Sequence, residues 1–455
     1  MRTGRKRNEA DNQVCRSWLS VDTVSGRVTE LPYARVRFLW PDHLGLARGK
    51  YLSAARASEG SNHCVALFSL QLNREMIPFP GAHHESFPDV EARFDTDAIR
   101  PGWEKDTGVV VASITKDGVP VELAPRSILE RVIGEWRTEG YDPMVGLELE
   151  AFLFETNGDR GWAPIHTPGS YVYGTGTSVD PSGTIDEIMQ TAHAMGIELE
   201  SVNSEYDDGQ FELTLRYGEA LTAADDAFLF KVMAREVAAR RGYLLAFMGK
   251  PITDRGGSGI HVNFSLLDEN GENALADLSA PDGLSTLARQ CIAGIVHDHV
   301  SMSALVAPTV NAYKRLRPGS LNGFYANWGF DHRGVALRVP PARGNATRLE
   351  HRLADGAAGV HLATAATLLA ALRGVTKGLE CPPAETQDCI TGADADVSVP
   401  PDLGAALDAL ETDKDFVEAF SPAYVEGFLA VKRAEWERFR QHTTDWEIAE
   451  YLDYY

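Results

Sequence analysis

In "GLELEAFLFE", residues 146–155, apolar and acidic positions alternate. Read with the period of a strand, Glu148, Glu150, Phe152 and Phe154 share one face, and Leu147, Leu149, Ala151 and Leu153 the other. The segment is therefore an apolar strand with two carboxylates set into it. The same period marks "QFELTLRY", "GIHVNFSL" and "GVALRVP" as strands. Upstream, "RVTELPYARVRFLW" alternates and runs into a turn at "PDHLGLARGK". "GVVVASITKDGVPVEL" predicts a hairpin about Lys116-Asp117-Gly118.

Helical spacing takes over at "APRSILERVIGEWRTEG". Pro125 sits in the first turn, Ile128, Leu129, Val132 and Ile133 form the stripe, and Gly140 stops it. "TIDEIMQTAHAMG" is a short helix and "ALTAADDAFLFKVMAREVAARRG" a long one. Segments within 283–303 and 361–376 also read as helices, and "AYVEGFLAVKRAEWERFRQH" as an amphipathic helix. The pattern is α+β: a polar, basic tail over 1–15 expected to be disordered, a small β-rich domain over 16–123, and a larger mixed domain over 124–455.

Composition narrows the function. The chain has 455 residues, 44% hydrophobic and 24% charged, enough for two domains with a real core. A formal net charge of −22 argues against nucleic acid or an anionic membrane as partner. The five cysteines (Cys15, Cys64, Cys291, Cys381, Cys389) are scattered without a CxxC pair, which predicts reduced thiols and a cytoplasmic setting. No apolar run is long enough to span a bilayer, and the N-terminus lacks the apolar core of a signal peptide.

The two strand glutamates have company. "ELESVNSEYDDGQFELTLRY" supplies Glu200, Glu205 and Glu212. "GGSGIHVNFSL" supplies His261, with Asn263 and Ser265 on its face, and "TRLEHRLAD" supplies Glu350 between Arg348 and Arg352. Taken singly, each has a bland reading: a solvated sheet face, a structural histidine, a flexible turn, a basic surface. Together they ask for a cation, because unpartnered buried carboxylates cost several kcal/mol each and protonate instead. Hard oxygen ligands with little sulfur suit Mg²⁺ or Mn²⁺ better than zinc. Divalent ions beside arginines suit nucleotide phosphates.

The ordered blocks "GLELEAFLF", "NSEYDDGQFEL", "GGSGIHVNFSL", "NAYKRLRPG", "DHRGVALRVP" and "TRLEHRLAD" resemble the glutamine synthetase family over most of the chain. The resemblance implies an N-terminal β-grasp domain and a C-terminal catalytic domain with an antiparallel sheet and flanking helices. It also implies a homo-oligomer, a double-ring dodecamer whose active sites are shared between neighbours. ATP and Mg²⁺ or Mn²⁺ would serve to phosphorylate the γ-carboxylate of glutamate, and an amine would then attack the acyl phosphate. By the same resemblance, Glu150, Glu205 and Glu212 hold the ion nearer glutamate, and Glu148, His261 and Glu350 the ion on the ATP phosphates. Glu200, Tyr217, Asn263, Ser265, Arg338 and Arg348 fall at nucleotide positions. Arg333, Arg338 and Arg352 are the catalytic arginines. Gly257, Gly259, Arg315, Leu321 and Arg352 fall at substrate positions.

Departures from the family pattern point to the second substrate. Ammonia-using members carry an aspartate in an "FDGSS"-type loop and a glutamate after "PGY". Here those stretches read "VALFSLQLNREM" and "KRLRPGSLNG", with Leu321 in the glutamate's place. A leucine offers no charge to hold NH₄⁺, so the pattern resembles the γ-glutamyl-amine ligase branch and favours a small organic monoamine. Glu75 and Asp95 are the acids that could substitute. Gly256 replaces an asparagine of the glutamate loop, Asn263 replaces a second histidine, and Val360 and His361 replace a proline and a tyrosine. "GADADVSVPPDLG" has no tyrosine to be adenylylated. Ammonia-using glutamine synthetase, a ligase for another acid, and a non-catalytic family member are the alternatives.

Overall fold

The computed structural model describes residues 31–82, 86–158, 161–167 and 171–455. The expected disordered tail, Cys15 and the start of the strand-rich segment lie outside these residues.

The N-terminal unit is built on strand Arg35–Pro41. It pairs parallel with Thr107–Val111 and antiparallel with Ala47–Ser53. Both of its faces are covered. Val36, Phe38, Trp40, Val110 and Ala112 enter a small core with Phe68 and Ile114, whereas Leu39, Val109 and Val111 enter the main core. That explains why "RFLW" and "GVVVA" read as nearly continuous apolar runs. The expected hairpin is real but shorter than its sequence signal. The run breaks at Ala112, so Thr107–Val111 stays in the first sheet while Ser113–Lys116 joins a second, pairing with Asp89–Arg93 and Val119–Pro120. Asp117 and Gly118, with φ of 52° and 78°, form its two-residue turn.

Helix Pro125–Thr138 buries Ile128, Leu129, Val132, Ile133 and Trp136, and the Trp136 indole donates to Leu368 O at 3.0 Å. Losing a ring of this size from a core costs about 3–5 kcal/mol. Beyond the helix lies the large sheet. Its order is Leu199–Ser204, Gln210–Leu215, Asp142–Thr156, Ile260–Leu267, Leu349–His351, Leu337–Val339, Trp328–Phe330. It is antiparallel except for its last pair, Trp328–Phe330 with Leu337–Val339, which is parallel.

Leu147, Leu149, Ala151 and Leu153 are fully buried on the sheet's core face. Helices Ala220–Arg240, Thr286–His297 and Val360–Thr376 pack in the same core. The last two cross at Gly294 and Gly374. A Cβ on either would reach within 2.8 Å of the other's Cα, so the approach requires glycine. The 283–303 region, expected to be helical, divides into Thr286–His297 and His299–Val306, the latter running past the expected bound. The sheet's other face is left for the carboxylates.

Candidate functional site

Register assembles the site. Glu150 lies directly opposite Glu212, His261 opposite Glu148, and Asn263 opposite both Gly146 and Glu350. Because cross-strand partners project to the same side, four strands deliver their polar side chains to one patch.

His261 is at the centre. Its Nδ1 lies 2.9 Å from Glu148 Oε2 and 3.7 Å from Glu350 Oε1, and its Nε2 lies 3.6 Å from Glu150 Oε1. Asn263 Nδ2 donates to Glu148 Oε1 at 2.9 Å. Among the described residues two groups have ligand atoms within 4.8 Å of one another: Glu148, His261 and Glu350, and Glu150, Glu212 and His261. Glu205 joins the second electrostatically: burial and then the Glu150 charge raise its pKa, while Arg333, otherwise exposed, draws it down.

The protonation pattern shows a cluster with too much negative charge. Burial and then the Glu148 charge push Glu212 up to about 7. Burial also works against the Glu148 carboxylate, but hydrogen bonds from His261 and Asn263 outweigh it and bring its pKa down to about 2. Burial and Arg352 oppose a charge on His261, yet Glu148 and Glu150 lift its pKa. A set of carboxylate oxygens with one imidazole nitrogen, electrostatically overloaded in this way, fits hard divalent cations.

Glu350 connects the acidic cluster to the arginines. Arg338 donates to Glu350 Oε2 at 2.8 Å and to Asp331 Oδ1 at 2.6 Å. Arg352 donates to Glu350 Oε1 through one terminal nitrogen and to Leu321 O, at 3.4 Å, through the other. Its buried Nε has no hydrogen-bond partner among the described residues.

The expected nucleotide residues line one cavity of about 430 Å³ beside this cluster. Glu148, Glu200, Tyr217, Asn263, Ser265 and Arg348 all contribute to its wall, with Gly146 beneath Tyr217. Asn263 spans the two regions, since its Oδ1 accepts from Arg348 Nε at 3.1 Å while its amide holds Glu148. Glu200 Oε1 accepts the Tyr217 backbone N–H at 3.3 Å. Arg338 is the one expected nucleotide residue that lies apart from this wall, on the Glu350 side.

At the opposite end, the glycine loop folds over Arg315. Gly259 N donates to Glu150 Oε2 at 2.7 Å and Gln210 Nε2 donates to Gly257 O at 2.9 Å. A Cβ on Gly257 would come within 2.9 Å of Arg315 Cγ, and one on Gly259 would fall on the guanidinium. Arg315 is buried and donates to Leu353 O at 3.2 Å. Leu321, by contrast, is 52% exposed.

Several neighbours escaped the sequence reading. Asp331 orients Arg338. Asp207, buried, accepts from Gly256 N and from Arg255, so an acid stands beside the position where the asparagine is missing. Asp355 is buried under the same loop, and burial pushes its pKa up to about 6. Asp331 opens the quoted block "DHRGVALRVP", Asp355 closes "TRLEHRLAD" and Asp207 lies within "NSEYDDGQFEL", so the signal was in the blocks themselves. Of the two candidate substitute acids, Asp95 caps the short turn Thr96–Ala98, and Glu75 is exposed in a tight turn where its carbonyl accepts Gln71 N at 2.9 Å.

Residues 122–451 match the family model described as glutamine synthetase, catalytic domain. The chain belongs to the glutamine synthetase family. Family members are ATP-dependent ligases that use a divalent metal and form γ-glutamyl products, and this family member is such an enzyme. It is 35% identical over 386 residues to a glutamine synthetase of Clostridium saccharobutylicum, covering 82% of this chain and 86% of that one. It is 30% identical over 447 residues to a gamma-glutamylethanolamide synthetase of Streptomyces coelicolor, covering 94% and 95%. Among solved structures, ligand-free GmaS superposes with a TM-score of 0.82 at 27% identity, over 92% of this chain and 97% of that one. No helix among the described residues is long and apolar enough to cross a membrane.

Proposed function

We propose that this family member joins glutamate to a small organic amine at the expense of ATP. Leu321 carries the reading. Its carbonyl is held by Arg352, which also holds Glu350, so its backbone is tied through one arginine to the acidic cluster, and the residue stands half in the open. An apolar group there gives NH₄⁺ nothing to bind, but it offers contact area to an amine with a carbon body. Likeness to the S. coelicolor ethanolamide-forming enzyme and to GmaS supports the same branch, while likeness to many glutamine synthetases supports only the common chemistry.

In this reading Glu148, His261 and Glu350, together with Glu150, Glu205 and Glu212, would hold Mg²⁺ or Mn²⁺, which would neutralise phosphate charge. The chain's own groups do the rest. Arg338 and Arg348 flank the phosphates, Tyr217 and Ser265 meet the nucleoside, and Arg333 and Arg352 stabilise charge during transfer. The Gly257–Gly259 loop and Arg315 seat glutamate. The remaining family expectations, a homo-oligomeric double ring with shared sites and a cytoplasmic location, belong to the proposal.

The test is phosphate release from ATP with glutamate and Mg²⁺. Ammonium would be run beside ethanolamine, short alkylamines, aniline and polyamines, with product masses confirmed. Turnover of an organic monoamine, with kcat/KM at least about ten-fold above ammonium, is expected. Efficient turnover of ammonium alone would overturn the amine assignment and leave glutamine synthetase as the reading.

A further inference from the structure

A second cavity, of about 400 Å³, lies behind the carboxylate-bearing strands and plays no part in the chemistry above. Its floor is the reverse face of the sheet edge. Val202, Ser204 and Phe211 line it, with Ser204 paired to Phe211, whereas Glu212, the residue after Phe211, points to the ion cluster. Its other walls are the loop from Gly174 to Gly183 and the first turns of helix Thr184–Ala194, through Ile185 and Met189.

Its chemistry differs from that of the nucleotide cavity. Val179, Ile185, Met189, Val202 and Phe211 make the body apolar, and Asp180 and Asp186 supply negative charge. Among the described residues no lysine, arginine or histidine lines it, whereas Arg348 lines the nucleotide cavity. An anion would enter without a counter-charge. A small cation with an apolar body would meet the exposed Asp186 carboxylate and the carbon surface, with Asp180 adding charge while its oxygens accept the Ser182 hydroxyl and the Thr184 and Asp186 N–H groups.

The loop wall is laced to the catalytic strand at Ser204. The Ser204 hydroxyl donates to Tyr171 O at 2.7 Å and accepts Gly174 N at 2.9 Å, and Tyr173 N donates to Ser204 O at 3.0 Å. Glu205 follows directly, and Asn203 pairs across to Glu212. A ligand that shifts this wall acts on the residues that carry Glu205 and Glu212.

We infer that this cavity is an effector site for a small organic cation, coupled through Ser204 to divalent-ion binding at Glu205 and Glu212. Coupling of this kind is reciprocal: the cation changes ion affinity by the factor by which the ion changes cation affinity. The inference does not depend on which amine the enzyme uses.

Calorimetric titration of the full chain with choline tests it, because choline's quaternary nitrogen cannot be acylated and separates binding from turnover. 3,3-Dimethylbutan-1-ol is its neutral isostere and 3,3-dimethylbutyrate an anionic control. Choline is expected to bind about ten-fold or more tighter than the alcohol, with the carboxylate weakest. Asp186→Asn, at an exposed position, is expected to weaken choline about three-fold, and Met189→Trp, which fills the cavity, to abolish binding. Saturating choline is expected to change Mg²⁺ affinity about five-fold or more, with the matching change seen in the reverse titration. Equal binding of alcohol and choline would overturn the inference. So would choline binding that survives in both variants and is displaced by glutamate and ATP, since that would put it in the active site. Should Met189→Trp fail to fold by circular dichroism, Asp186→Asn and the isostere series decide the matter.

Discussion

The two ends of the candidate site are built differently. Around His261, the side chains come from paired strands, and cross-strand register holds each one beside its neighbours; His261 and Glu350 are 4% and 1% exposed. Leu321 comes from the loop between the short helix Ala312–Arg315 and strand Trp328–Phe330, and is 52% exposed. Phosphoryl transfer asks the protein mainly for fixed charges in fixed places, which a sheet provides. Selection of an amine asks only for the right wall, which a loop can change without disturbing register. Arg352 joins the two ends, with one nitrogen on Glu350 and another on Leu321 O. On the proposed function, this division lets ligase chemistry persist while the second substrate changes.

The comparison breaks most readily at the ion end. Glu148→Ala removes a carboxylate hydrogen-bonded by His261 and Asn263. Turnover is expected to fall about 100-fold or more, with loss of metal-dependent ATP binding. The fold should survive, because the change relieves a like-charge cluster and leaves the core face of Leu147 and Leu149 untouched. Phosphate release and a thermal melt measured on the same sample check both halves. Activity within ten-fold of wild type would remove Glu148 from the ion site.

The amine end should respond with a change of preference and little change in rate of phosphorylation. On the proposed reading, Leu321→Glu puts a carboxylate at the position that the family resemblance gives to the ammonium-site glutamate. The ratio of ammonium to organic-amine kcat/KM is expected to rise about ten-fold or more, with ATP and glutamate KM nearly constant. An unchanged ratio would show that Leu321 does not face the second substrate.

What could be read from the chain divides along the same line. Alternation in 146–155 is enough to separate the carboxylate face from the core face, because strand geometry depends on neighbours along the chain. That Glu212 stands opposite Glu150, and Glu350 opposite Asn263, depends on pairing between segments far apart, which periodicity does not encode. Only the ordered family blocks carried that information. Breaks imposed by tertiary structure were likewise hidden. The apolar run 107–116 looks continuous, yet its two halves serve different sheets on either side of Ala112. Lys231, in the apolar stretch "FLFKVM", donates to Gly356 O at 2.8 Å beneath the glycine loop, a role visible only once the helix is docked. The cavity behind Ser204 is a property of packing between a loop, a helix and a sheet edge, and no local pattern announces it.

The smallest expected effect is on stability, and it sharpens the contrast because it belongs to the ion end alone. Glu212 has a pKa of about 7 against an ordinary value of 4.5. Between those values the metal-free native state binds a proton that the unfolded chain has already released. Stability from this group is therefore complete below about 4.5 and declines as pH rises through about 7. The raised pKa of His261 acts in the same direction. Glu148, down at about 2, acts in the opposite direction but over a separate window, losing its contribution only as pH falls from 4.5 toward 2. Divalent ions select the ionised carboxylates, so saturating Mg²⁺ should flatten the decline. In EDTA, Tm is expected to drop by on the order of a few degrees from pH 5 to pH 8, with a shallower slope in Mg²⁺ and in Glu212→Gln without metal. Leu321→Glu, outside the cluster, should keep the wild-type slope. Identical slopes for wild type and Glu212→Gln in EDTA would mean that Glu212 does not titrate against its neighbours, and the picture of an overcharged cluster relieved by cations would fail with it.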